Sequence, residues 1–272
     1  MRDLLKDEYL GADGLIHCQR CDGARQMQVE LFGKQDTVFC LCQCQTEARD
    51  REDDEFHRRA RMTEIRQLKA DGLQDAALRQ YTFANDLGYQ PESAKLRAYV
   101  EQFPEMLKSG AGLLLWGGVG TGKTFLAACV ANALLDRSIP VLMPVTGDLL
   151  NKLMGIYPSE RSDFLKSLNA YSLLILDDLG VEHRSEFAMT QMFHIVDGRY
   201  RTGKPLIVTT NLTLQELKNP PDLAHRRIHD RLLEMCTPIR INGQSIRRLR
   251  AQENMREMRE RLAGAQCAVA QF

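Results

Sequence analysis

The chain has 272 residues, 44% of them hydrophobic, with 36 basic side chains balanced by 36 acidic ones. That length carries one large domain and a small one, and the composition is that of an ordinary globular protein. Zero net charge excludes a partner held by overall charge, so any basic surface for nucleic acid must be local.

The N-terminus "MRDLLKDEYLGADG" mixes acids into a short apolar run and lacks the core of a secretory signal. No stretch approaches the roughly 18–20 apolar residues of a membrane span, so the expectation is a cytoplasmic, soluble protein without a membrane partner. Residues 1–45 hold five cysteines among short β-prone pieces such as "QMQVELFG" and "TVFCLC". Residues 46–80 are dense in both charge signs and contain no proline; they read as an exposed connecting helix, a mobile linker being the alternative. From residue 81 to 272 apolar strands alternate with longer amphipathic segments. Strands are expected at 112–117, 139–145, 171–178 and 204–211, and helices at 123–137, 147–168 and 186–202. Strands that are apolar almost throughout are buried on both faces, which predicts an α/β fold with a parallel sheet between helices.

The joint between the first strand and first helix is "GGVGTGKT", residues 117–124, which fits G-x-x-x-x-G-K-[ST] in the strand–helix context the motif requires. Gly117, Gly118, Val119, Gly120, Thr121 and Gly122 form the loop. Gly117, Gly120 and Gly122 let backbone N–H groups turn inward around a phosphate. Lys123 supplies charge to the β/γ-phosphates, and Thr124 offers a hydroxyl to Mg²⁺. The positive end of the helix faces the same anion. The stretch "LLILDDLG" ends an apolar strand with Asp177 and Asp178. One carboxylate can serve the Mg²⁺ shell and the other can orient or deprotonate a water; the paired acids favour hydrolysis of nucleotide over its storage. In "LIVTTNL", Asn211 closes a further strand, within reach of a γ-phosphate. "HRRIHDRLLEMC" places Arg227 and Arg231 on one helical face, and "GQSIRRLR" carries Arg247 and Arg248. No N-K-x-D follows the strands, so adenine is favoured over guanine, making ATP the expected nucleotide.

The cysteines follow C-x₂-C, eighteen residues, then C-x-C-x-C: Cys18, Cys21, Cys40, Cys42 and Cys44. This is the spacing of a structural zinc site with four thiolates and no open position, and a region this small needs such a staple to fold. Five cysteines leave one spare; the expected set is Cys18, Cys21 and Cys40 with Cys42 or Cys44, and His17 as a weaker substitute. An iron–sulfur cluster is the alternative. Cys129, Cys236 and Cys267 are scattered and read as ordinary thiols.

Taken in order, "GGVGTGKT", "LLILDDLG", "VTTNL", "RIHDRL" and "GQSIRR" resemble the AAA+ ATPases of the DnaC/IstB kind, most closely the DnaC- and DnaI-type loaders of replicative helicases, over about residues 81–250. The resemblance implies an AAA+ P-loop fold with Lys123 and Thr124 as Walker A and Asp177 as the Walker B metal carboxylate. Asp178 stands in the place of a catalytic Glu, Asn211 matches sensor 1, Arg231 the arginine finger and Arg247 sensor 2. It further implies ATP with Mg²⁺, a hexameric ring helicase and single-stranded DNA as partners, and self-association through the ATPase domain. It also makes the 1–45 zinc module the part that grips the helicase. Asp178 is one methylene shorter than Glu, which suits a slow switch. The segment "TGDLLNKLMGIYPSERSDFLKSLN" is longer than a crossover needs, and in such loaders this region helps touch DNA, making Lys152, Arg161 and Lys166 candidates. The closest alternative is an IstB-type helper of a transposase. A non-enzymatic adaptor, with a nucleic-acid-binding zinc module and a structural ATP site, is the rival from another class.

Overall fold

The computed structural model describes residues 4–86, 88, 91–180, 185–242, 245, 252, 254–256, 258 and 259. The chain divides into two compact units, Met1–Glu64 and Ile65–Phe272.

The first unit is built from short ribbons. Strands β1 (Glu8–Leu10) and β2 (Ile16–Cys18) pair antiparallel, with Tyr9 opposite His17. Strands β3 (Gln26–Leu31) and β4 (Lys34–Phe39) form a hairpin closed by Phe32 and Gly33, both in the left-handed region at φ 53° and 75°. Two positive φ values in a two-residue loop match the twist of the flanking strands. Helix α1 (Gln43–Gly72) begins here and runs for 30 residues, covering most of the stretch expected to be a connecting helix. Only its last residue is buried. Exposure over that length suits its mixed charges, which pair along the helix as Arg59 does with Glu55.

In the second unit Gly72 ends α1 where a Cβ would lie 2.1 Å from the Val141 carbonyl oxygen. Two short 3₁₀ turns, Leu78–Gln80 and Phe83–Asn85, lead into α2 (Ser93–Glu101) and α3 (Phe103–Ser109). Then follow β5 (Gly112–Trp116), α4 (Lys123–Leu135), β6 (Val141–Leu142), α5 (Thr146–Gly155), α6 (Pro158–Leu168) and β7 (Leu173–Leu179). The described order finishes with α7 (Glu186–Thr202), β8 (Leu206–Thr210), α8 (Leu214–Lys218), α9 (Leu223–Met235) and β9 (Cys236–Arg240). The five strands make one sheet in the order β6-β7-β8-β5-β9, all parallel.

Period-two alternation splits the strand side chains between two layers. Leu113, Leu115, Leu173, Ile175 and Ile207 face one layer, with α4 among its helices. Leu114, Leu174, Leu176, Leu206 and Val208 face the other, with residues of α5, α7 and α9. Among the described residues, no helix is long and apolar enough to cross a membrane.

Two expectations need correcting. The strand expected at 139–145 shortens to Val141–Leu142 plus an isolated bridge at Val145. Pro140 and Pro144 have no N–H to donate and act only as acceptors, from Ser172 and Leu173 and from Asp177. The helix expected at 147–168 is two, because Pro158 fits only a helix start and Ile156 and Tyr157 are extended before it. The fifth strand, β9, and the helices α2 and α3 were not among the expected elements.

Candidate active site and candidate metal centre

The strand order brings the C-terminal ends of β5, β7 and β8 side by side. The glycine-rich loop follows β5, the paired acids end β7, and Asn211 follows β8. This edge of a parallel sheet is where helix N-termini and backbone N–H groups converge on ligands.

Gly117, Gly120 and Gly122 all have positive φ, at 150°, 81° and 98°. A Cβ on Gly117 would lie 2.3 Å from the Ile241 carbonyl, and one on Gly120 would lie 2.3 Å from Ser245 Oγ. Glycine is therefore favoured at all three by backbone conformation, and required at Gly117 by the Ile241 backbone as well. Within the loop Thr121 donates to the Gly118 carbonyl at 2.9 Å, and Val119 is exposed at the tip.

Lys123, buried, folds back over the loop. Its ammonium donates to the Gly117 and Gly118 carbonyls at 2.9 and 2.7 Å and to Asn211 Oδ1 at 2.8 Å. Asn211 in turn donates through Nδ2 to Asp178 Oδ1 at 3.0 Å. Thr124 Oγ1 donates to Asp177 Oδ1 at 3.0 Å. The residues singled out from three separate stretches thus form, together with Thr209, one connected hydrogen-bonded group.

Sequence reasoning passed over Thr209, which sits inside this group. Its buried hydroxyl donates to Asp177 Oδ1 at 2.6 Å and accepts the Asp178 backbone N–H at 2.8 Å. Thr146 anchors the same corner by donating to the Asp177 carbonyl at 2.7 Å. Burial pushes the Asp177 carboxyl above the ordinary carboxylate value, against the Thr209 and Thr124 hydroxyls, which lower it. Asp178 has φ 62°, a left-handed backbone rare for a residue with a side chain, at a register break between Leu176 and Leu179. Such strain of about 1–3 kcal/mol gathers where a side chain must be aimed. An acid, a hydroxyl and an ammonium placed around a glycine-rich helix start can hold the phosphates and metal of a nucleotide.

Arg231 is elsewhere. On α9, it bonds Asp197 of α7 and the Arg227 carbonyl, and its guanidinium stacks over Phe193 and Tyr200. None of these partners belongs to the phosphate loop. Arg227 is exposed. Arg247 and Arg248 lie outside the described residues. Of the cations expected to reach DNA, Lys152 stacks on Phe164, Lys166 pairs with Asp163, and Arg161 donates to the Leu153 and Ile156 carbonyls. Arg161 thus ties the end of α5 to α6. A cleft of about 240 Å³ lies along α5 and the start of α7, lined by Gly147, Asn151, Met154, Asp178 and Phe187 among others.

In the first unit the sulfurs of Cys18, Cys21, Cys42 and Cys44 all lie within 4.8 Å of one another. Cys42 and Cys44 are 3.4 Å apart and Cys18 and Cys44 3.6 Å. A tetrahedral ion with metal–sulfur bonds of about 2.3 Å puts its sulfurs about 3.8 Å apart, so this set fits zinc. The expectation that Cys40 belongs with only one of Cys42 and Cys44 is corrected. Cys40 ends the β4 arm, where its backbone N–H pairs with the Arg25 carbonyl and its thiol points at the Ala24 carbonyl. The turn beyond it carries Cys42 and Cys44 inward together. His17 is engaged by Asp13 and the Asp22 carbonyl instead.

The thiols differ in ease of ionisation. Backbone N–H groups of Arg20 and Cys21 bring Cys18 down to about 6, while the neighbouring sulfurs of Cys42, Cys18 and Cys21 push Cys44 up to about 12. A cation among them removes that conflict. Arg25, buried, adds a guanidinium that donates to Cys18 Sγ at 3.5 Å while held by Glu8 at 2.9 Å and Asp7 at 2.6 Å. Cys129 and Cys236 are buried single thiols; Cys267 lies outside the described residues.

Residues 28–254 match the family model described as "IstB-like ATP binding protein". The "Replicative helicase loader DnaC" of Escherichia coli (strain K12) is 30% identical over 142 residues, 51% of this chain and 56% of that protein. The "Putative insertion sequence ATP-binding protein y4iQ/y4nD/y4sD" of Sinorhizobium fredii (strain NBRC 101917 / NGR234) is 31% identical over 153 residues, 55% of this chain and 51% of that one. The chain spans about half the length of these curated relatives. The solved structure described as "Crystal Structure of the DnaI" superposes with a TM-score of 0.55 at 23% identity, covering 63% of this chain and 96% of that one. That likeness speaks to the fold, a parallel sheet flanked by helices.

Proposed function

From a chain that belongs to the IstB-like ATP-binding protein family, we propose an ATP-dependent loader that places a hexameric ring helicase on single-stranded DNA. The observation that carries the reading is the connected group Lys123–Asn211–Asp178 beside Thr124–Asp177, at the sheet edge where the glycine loop opens. Lys123 and the loop N–H groups hold the phosphates of ATP, and Thr124 and Asp177 hold Mg²⁺. Asp178, aimed by its left-handed backbone and by Asn211, orients the attacking water. Lys123 must leave Asn211 to meet a γ-phosphate, so nucleotide entry is coupled to the setting of the catalytic acid. Hydrolysis is slow because the aspartate reaches less far than a glutamate.

Arg231 acts in trans on a neighbouring copy's γ-phosphate, which its separation from its own loop supports, and Arg247 contacts the nucleotide as sensor 2. Residues 1–45 form a module closed by zinc on Cys18, Cys21, Cys42 and Cys44 that grips the helicase. Residues 46–80 are its helical connection, and 81–272 are the ATPase. The 30% identity to a replicative helicase loader supports this assignment.

A second reading has a specific observation behind it: the insertion-sequence relative is as similar as the loader, so a transposase helper shares the same ATPase core. One experiment separates them. A ring helicase is mixed with closed circular single-stranded DNA, the full chain and MgATP, and helicase bound to the circle is measured. The loader reading expects transfer that fails with Lys123→Ala. No transfer, together with ATP-dependent stimulation of a transposase, would make the helper the better account.

A further inference from the structure

Arg231 is held from several sides. Nε and Nη2 both meet Asp197 Oδ1 at 3.0 Å, and Nη1 donates to the Arg227 carbonyl at 3.0 Å. Its Cζ lies 4.8 Å from the Phe193 ring centre and 5.7 Å from that of Tyr200. Tyr200 is fixed in turn, donating its hydroxyl to Glu234 at 2.9 Å. A guanidinium carries five N–H donors. Two hydrogen bonds, from Nε and Nη1, and the ion-pair contact of Nη2 engage three of them, leaving one on each terminal nitrogen, a pair that matches two oxygens of a phosphate. The arginine side chain keeps 27% of its surface exposed, whereas that of Asp197 keeps 10%.

We propose that Asp197 is a positioning residue for Arg231, fixing the guanidinium so that its remaining donor pair meets a phosphate on a neighbouring copy. This rests on the reading of Arg231 as a finger in trans. Two physical points support it. A free arginine side chain loses about 2 kcal/mol of rotamer freedom when it docks; bonds to Asp197 and Arg227 and two flanking rings spend that loss before the neighbour arrives. The charge balance also leaves room for an anion. Asp197 is shared, its second oxygen pairing with Arg201 at 2.7 Å. Two guanidinium groups share that one carboxylate, so Asp197 orients Arg231 without by itself cancelling both charges.

A tie that merely packs α7 on α9 would predict a different pattern, which kinetics can read. The test uses the full chain at concentrations that support assembly, with oligo(dT) and MgATP. It measures kcat, KM for ATP and Tm for the native protein, Asp197→Ala, Asp197→Asn, Arg231→Ala and the Asp197→Ala/Arg231→Ala double variant. Asp197→Ala is expected to lower kcat about 10- to 100-fold, the scale for a misplaced catalytic group, with KM within about threefold. Asp197→Asn, which keeps one acceptor, should lose less and serves if the alanine variant fails to fold. The double variant should be no slower than Arg231→Ala alone. Native kcat in both Asp197 variants beside a slow Arg231→Ala overturns the proposal. So does an equal further loss when Asp197→Ala is added to Arg231→Ala, which assigns Asp197 to fold stability. If Arg231→Ala itself runs at the native rate, the finger reading falls and this inference falls with it, a pattern distinct from the other two.

Discussion

In the Met1–Glu64 unit the buried hydrophobic side chains among the described residues are Ile16, Cys18 and Cys42, two of them members of the sulfur cluster. The Ile65–Phe272 unit instead buries Leu114, Leu115, Leu174, Ile175, Leu176 and Val208 completely, in two layers on the faces of its sheet. The same chain therefore orders itself by two physical routes. One unit buries little apolar surface to offset its conformational entropy and instead gathers four thiols that could hold a metal; the other is held by packing. Perturbations of the two should separate cleanly, and that separation can be tested.

The largest effect should come from the metal. Structural zinc in small modules contributes about 10–16 kcal/mol of apparent binding free energy that is also folding free energy. A strong chelator, or Cys42→Ser, should erase amide protection in the first unit while the melting transition of the second unit stays in place. Persisting protection in a metal-free protein would break the comparison. Next in size is a packing change in the second unit. Leu174→Ala removes a fully buried side chain and should cost about 2–5 kcal/mol, read as a shifted denaturation midpoint with the zinc content unaltered.

Smaller effects sharpen the comparison inside the first unit. Arg25→Met deletes the guanidinium that donates to Cys18; loss of such a partner weakens metal binding by about 10- to 100-fold, measurable by competition with a chromogenic chelator. The smallest should be Cys40→Ser, within about 0.5 kcal/mol, with zinc still near one per chain. If that variant instead loses zinc, the ligand set read from the sulfur geometry is wrong.

What was legible in the sequence follows the same division. The phosphate loop, the paired acids and the sheet strands could be read because each is set by residues a few positions apart. Asn211 could be placed because it ends an apolar strand. Thr209 could not, since its importance comes from meeting both Asp177 and Asp178 across two strands, a contact more than thirty residues long in sequence. Asp197 escaped for the same reason: nothing near it announces that it holds Arg231 on another helix. The cysteine spacing pointed to a metal site but not to which four sulfurs converge, because Cys40 and Cys42 differ only in which side of a turn they occupy. β9 was hidden by Pro238 and two exposed positions in "CTPIR", which give it neither a continuous apolar run nor a regular alternation.

The central claim is that the Lys123 loop binds nucleotide while the cysteine unit folds independently of it. Calorimetric titration of MgATP into the full-length native protein and into Lys123→Ala tests it most directly, with zinc content and melting temperature checked on the same samples. The account predicts binding to the native chain that is lost in the variant, with both samples still folded and carrying equal zinc. Equal affinity for MgATP in both folded proteins would contradict it.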